Sequence, residues 1–139
     1  MPDLGRIPVA REFNAVSDLT TLSYRHNEML EQNLEQLKVN NPSVHWMYFD
    51  VRKTMDEMLA YPTKNGFINV TDTCYEAAMD DQPSSRSILK IVSNIQVKFN
   101  PDACNGYLFF DPVHPKGQAH RLMAERTREL LLREGIELG

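Results

Sequence analysis

The sequence predicts an α/β protein built on a parallel sheet, and three observations carry that prediction. Helical periods alternate with short runs of aromatic and β-branched residues along the chain. Their order, a helix, a strand, a helix and later another strand and helix, suits a parallel sheet rather than an α bundle. The third observation is the stretch Asp111-Pro112-Val113-His114-Pro115, a carboxylate and an imidazole three residues apart between a strand-like run and a helical one. Strand-to-helix loops are where α/β proteins usually carry their chemistry. The 139 residues, 42% of them hydrophobic, suit one domain with its own core.

Residues 1–16 show no period and contain Pro2, Gly5 and Pro8, so they read as a loop. Ser17 and Asp18 are good helix starters, a hydroxyl cap followed by a negative charge in the first turn. Leu19, Leu22, Met29, Leu30, Leu34 and Leu37 then recur at three- and four-residue steps. They predict one apolar stripe on a helix of roughly 20 residues, ended by Asn40-Asn41-Pro42. Val44–Phe49 has the composition and length of a strand. Asp50 closes it and suits either an α/β site or the cap of the next helix, Val51–Leu59, whose Val51, Met55, Met58 and Leu59 share a side.

Residues 60–106 predict a long irregular connection, with only Ile88–Val97 ordered and ambiguous between helix and strand. Tyr107–Phe110 reads as a short buried strand. Gln118–Arg133 reads as a helix with Ala119, Leu122, Met123, Thr127 and Leu130 inward, and Gly135 follows as its C-cap.

Charge and composition exclude several functions. A formal net charge of −4 argues against a dedicated nucleic-acid binder. No apolar run approaches the ~18 residues that cross a bilayer, and the first residues lack the basic start and apolar stretch of an export signal. Cys74 and Cys104 could close a loop worth about 3–4 kcal/mol or remain free thiols, and their spacing leaves both open. Neither has a second Cys or His at metal-ligand spacing, so no metal site is expected. Asn69-Val70-Thr71 matches a glycosylation pattern only weakly, and Phe67, Tyr75 and Phe99 suit either acyl contact or loop anchoring.

Two-thirds of a hydrolase triad is an aspartate that orients a histidine, and Asp111 and His114 have that form. In context they resemble the last conserved block of the GDSL, or SGNH, esterase and lipase family. Tyr107 through Asp111 and His114-Pro115 match that block, with Lys116 where the family often has threonine. Pro2-Asp3-Leu4-Gly5 with Pro8 resembles the family's turn after a central strand, and Ser17–Leu37 with Asn27 its succeeding helix. Asn65–Asn69 with Cys74 resembles the loop where the secreted bacterial phospholipase, lysophospholipase and haemolysin branch often places a cysteine pair.

The resemblance implies the C-terminal part of a flavodoxin-like, three-layer α/β/α SGNH-hydrolase fold over residues 1–139. It implies ester hydrolysis on a lipid or other ester substrate without cofactor or metal, with Asp111 and His114 as the catalytic pair. It also implies a Cys74–Cys104 disulfide and a secreted or periplasmic parent protein. Nothing in the chain matches the family's Gly-Asp-Ser-Leu nucleophile block or its oxyanion-hole blocks. Ser84, Ser85 and Ser87 lack the strand-turn-helix context of a nucleophile. The expectation is therefore the C-terminal half of a hydrolase, Met1 being an internal methionine of a longer frame. The alternative is a non-catalytic fragment of a split or interrupted gene, inactive without its N-terminal half. His26, His45 and His120 are expected in packing or surface roles.

Overall fold

The computed structural model describes residues 1–75 and 101–137. Residues 1–16 are not the loop expected: a 3₁₀ turn at Leu4–Arg6 leads into helix α1, Pro8–Glu12. Pro8 starts α1 instead of marking a loop, since the first helical position needs no N–H and proline's φ is preset for it. Helix α2, Val16–Asn40, follows and is longer than the stripe implied. Asn41 stops it, its N–H and side-chain amide both donating to the Leu37 carbonyl.

The segment 44–49 is not a strand. It is irregular and half-exposed, and no other strand lies beside it among the described residues. Aromatic and β-branched composition favours a strand only where a neighbour supplies the ladder. Helix α3, Val51–Ala60, starts on Asp50, whose Oδ1 accepts from Lys53 N at 2.9 Å. The cap role expected of Asp50 is therefore filled.

The stretch expected to be irregular contains a strand, β1 (Asn69–Thr73), paired in parallel with β2 (Tyr107–Phe109). Among the described residues these two form the sheet, with Asn69 opposite Tyr107 and Thr73 opposite Phe109. Gly106 sets up the pairing. Its φ of 76° belongs to the left-handed region, and its carbonyl accepts from both Ile68 N and Asn69 N. A Cβ there would stand 2.5 Å from Ile68 Cγ1. Helix α4, Gly117–Arg133, closes the fold, and Gly135 follows it with its N–H on the Leu132 carbonyl.

The core lies between the sheet, α1, α3 and α4. Phe67, Leu108 and Phe109 meet Ile7, Ala10, Met55, Met58 and Ala119, with Leu122, Met123 and Leu59 packed against them. Met55, Met58 and Leu59 of α3 and Ala119, Leu122 and Met123 of α4 thus face inward as their spacing predicts. Helix α2 behaves differently: its buried residues are Ser23 and Asn27, while Leu22 and Met29 are 60% and 62% exposed. Leu30 and Leu37 of the predicted apolar stripe are exposed as well.

Polar packing fixes α2 to the N-terminal turn. Asp3 is buried, and its Oδ1 accepts from Gly5 N and from Thr20 Oγ1, both at 2.8 Å. Ser23 Oγ accepts from Leu4 N at 3.0 Å and donates to the Leu19 carbonyl at 2.7 Å. Asn27 accepts from the Met1 amino group and donates to the Met1 carbonyl, at 2.6 and 2.9 Å. Thr20, Ser23 and Asn27 recur at helical spacing, so one face of α2 supplies partners to the polar groups of this turn. Gly5 is required by the approach: a Cβ would lie 2.0 Å from Thr20 Oγ1 and 2.5 Å from the Val16 carbonyl.

Candidate functional site

The β2–α4 loop folds back on its own strand. Phe110 N donates to the His114 carbonyl at 2.9 Å, Lys116 N donates to the Leu108 carbonyl at 2.8 Å, and Phe109 bridges Pro115 antiparallel. Val9 N of α1 donates to the Pro112 carbonyl at 3.0 Å, and Pro112 is buried. Residues 110–116 are thereby fixed at both ends and in the middle.

Within that loop Asp111 organises its own neighbours. Its Oδ1 accepts from Val113 N at 2.9 Å and His114 N at 2.8 Å, the turn an aspartate makes when it bonds the backbone two and three residues on. That turn brings the imidazole over the carboxylate. His114 Nδ1 lies 2.7 Å from Oδ2 and 2.9 Å from Oδ1. A carboxylate can only accept, so Nδ1 carries the proton and Nε2 is left as the basic nitrogen. The Asp111 side chain is 16% exposed and that of His114 is 71% exposed, so the ring presents its far edge to solvent. This is a base held in one tautomer, able to take a proton at Nε2 while the carboxylate stabilises the cation.

Among the described residues no hydrogen bond joins His114 to a serine, and no cluster of three metal-ligating side chains occurs. Ser84, Ser85, Ser87, Phe99 and the segment Ile88–Val97 lie outside the described residues. The other histidines do other things. His45 Nε2 faces Glu134 at 3.2 Å on the surface, and His26 and His120 are exposed on helices. Phe67 is fully buried in the core, which settles its role as an anchor. Asn69, the first residue of β1, uses its side chain within the strand, where the register is irregular, accepting from Thr71 N and Asp72 N.

Cys74 and Cys104 are joined by a disulfide, Cα atoms 4.8 Å apart, that packs under the loop with Tyr107 and Phe110. Tyr75 N donates to the Phe110 carbonyl at 2.9 Å and its ring meets Phe110 edge-on at 5.9 Å. The residue before Asp111 is thus held to the disulfide from the strand side. Sequence reasoning missed a second tie, from Lys116 Nζ to the Cys104 carbonyl. The departure from threonine at this position was its only visible signal.

No family model matches the chain. Two curated proteins are similar to it over most of its length. A phosphatidylcholine-sterol acyltransferase of Aeromonas hydrophila is 28% identical over 90% of this chain and 44% of its own length. The GDSL esterase/lipase APG of Arabidopsis thaliana is 24% identical over 89% of this chain and 35% of its own. The chain therefore spans less than half the length of the curated relatives it matches. No described helix is long and apolar enough to cross a membrane. Over about nine-tenths of its length the chain is similar to enzymes of the GDSL lipase and acyltransferase family.

Proposed function

We propose that this chain is the C-terminal portion of a single SGNH-hydrolase domain and supplies the Asp–His half of a Ser-His-Asp triad. The observation that carries the proposal is the 2.7 Å contact between His114 Nδ1 and Asp111 in a loop built to hold it. In the complete protein a serine from the preceding portion attacks the carbonyl of a carboxylic ester as His114 Nε2 takes its proton. The imidazolium, paired with Asp111, then returns the proton to the departing alcohol, leaving an acyl-serine that water hydrolyses. A lipid ester is the substrate class that the relatives' names, a phosphatidylcholine-sterol acyltransferase and an esterase/lipase, favour. Export of the complete protein fits the Cys74–Cys104 disulfide, since such bonds persist in oxidising compartments.

A second reading rests on a different observation. The stripe of Leu22, Met29, Leu30 and Leu37 is exposed on α2, as is Ile68 beside the sheet. Among the described residues an exposed apolar stripe and a two-stranded sheet are what a part of a larger α/β domain presents, and on this reading the chain alone is a non-catalytic partner of its other half. Without a nucleophile and oxyanion donors most of the rate enhancement is absent. Assaying the purified chain on a p-nitrophenyl ester separates the readings. No turnover above buffer is expected, and turnover blocked by a serine-directed inhibitor would overturn the need for a second portion.

A further inference from the structure

We infer that Lys116 is a positioning residue for the Asp111–His114 pair, holding the loop that carries the pair to the disulfide-anchored turn at Cys104. The inference rests on the catalytic reading of that pair and adds a residue to it.

Lys116 occupies the cap position of α4, where a short hydroxyl or carboxylate side chain normally bonds the first helical N–H groups. Its side chain makes no such bond. It is half-buried and runs the other way, and its ammonium donates to the carbonyl of Cys104, the last residue of the 3₁₀ turn Pro101–Cys104. Cys104 is itself buried and bonded to Cys74, and the residue after Cys74 holds the Phe110 carbonyl.

The two ends of the pair's loop are therefore fastened to one crosslinked base. On the strand side the fastening is Tyr75 N to Phe110 O; on the helix side it is Lys116 Nζ to Cys104 O. Asp111 and His114 stand between those points. The backbone bond from Lys116 N to the Leu108 carbonyl fixes the same residue from behind. The His114 side chain is largely exposed, so its ring is held by the Asp111 carboxylate and by the loop backbone that presents the two residues to each other. A charge-assisted bond to a neutral carbonyl is among the stronger single ties available, and here it belongs to a residue two positions from the imidazole.

The neutral His114 ring reports the geometry directly. With Asp111 accepting from Nδ1, the neutral ring carries its proton on Nδ1; a ring that drifts from the carboxylate reverts to the ordinary preference for Nε2–H. Long-range proton–nitrogen NMR of the purified chain, at a pH where the spectrum shows the ring neutral, distinguishes the two forms. The readout needs no ester hydrolysis. The wild-type chain and Lys116→Arg are expected to show His114 mainly as the Nδ1–H tautomer. Lys116→Met and Lys116→Gln, which lack the ammonium but keep a long side chain, are expected to show mainly Nε2–H, with amide spectra otherwise like wild type. An unchanged Nδ1–H tautomer in either folded neutral variant overturns the role of Lys116 and leaves the catalytic reading standing. A wild-type ring already in the Nε2–H form overturns both. Two chemically different neutral variants keep the test decisive if one fails to fold.

Discussion

Asp111 serves three groups with one carboxylate: two backbone N–H groups and the imidazole of His114. The first two need only an oxygen acceptor, and an amide supplies one. The third needs an acceptor facing Nδ1 and a negative charge beside the imidazolium. Asp111→Asn should therefore shift folding stability by less than about 1 kcal/mol, in line with a modest net hydrogen-bond contribution. In the complete protein it should lower kcat for ester hydrolysis by roughly two to four orders of magnitude, the scale of a wrong tautomer at a triad. Thermal melts and steady-state kinetics on the same preparation check both halves, and a rate close to wild type removes Asp111 from the proposed mechanism. Near the start of the chain Gly5 has no room for a methyl group against Thr20 and the Val16 carbonyl. Gly5→Ala should lose about 1–3 kcal/mol in urea unfolding, the usual cost of overpacking; an unchanged midpoint would mean that α2 and the turn separate freely.

At the scale of elements, the disulfide is the part of the site scaffold most open to measurement. It spans a sequence separation of 30 residues, and both cysteines are buried beneath the loop of Asp111 and His114. Replacing both by serine should cost about 3–4 kcal/mol by the loop-closure relation, read as a lower denaturation midpoint than that of the oxidised chain. Equal midpoints would show that the crosslink adds nothing to folding. The helices were readable from sequence because their signals are local. Met55 and Met58, or Ala119, Leu122 and Met123, repeat with the helical period and pack as that period requires. The strands were not equally readable. Tyr107–Phe109 was visible as an apolar run, whereas Asn69-Val70-Thr71-Asp72-Thr73 pairs with it despite its exposed polar positions Thr71 and Asp72. Its strand state comes from the partner strand and Gly106, which lie far off in sequence. Val44–Phe49 shows the converse, strand composition without a neighbouring ladder among the described residues. The Asp-x-x-His spacing was legible because one turn makes it, while the Lys116 tie joins residues 12 apart and left no periodic trace.

For the whole molecule, the unusual feature is α2, which buries serine and asparagine and exposes leucine and methionine. An exposed stripe of this kind promotes association through the hydrophobic effect. If it is covered in the complete domain, Leu22→Glu with Met29→Lys should make the isolated chain more soluble and more monomeric by analytical ultracentrifugation, with its melting temperature nearly unchanged. The same pair of changes should lower the yield of folded complete protein. A loss of stability in the isolated chain would instead show that the stripe packs within this portion. The proposed division of labour, nucleophile in the preceding portion and acid–base pair here, turns on His114. The most direct test is hydrolysis of a p-nitrophenyl ester by the complete protein with and without His114→Ala. A fall in kcat of about three orders of magnitude or more, with KM little changed, is the predicted result; near-normal kcat in the variant would contradict it.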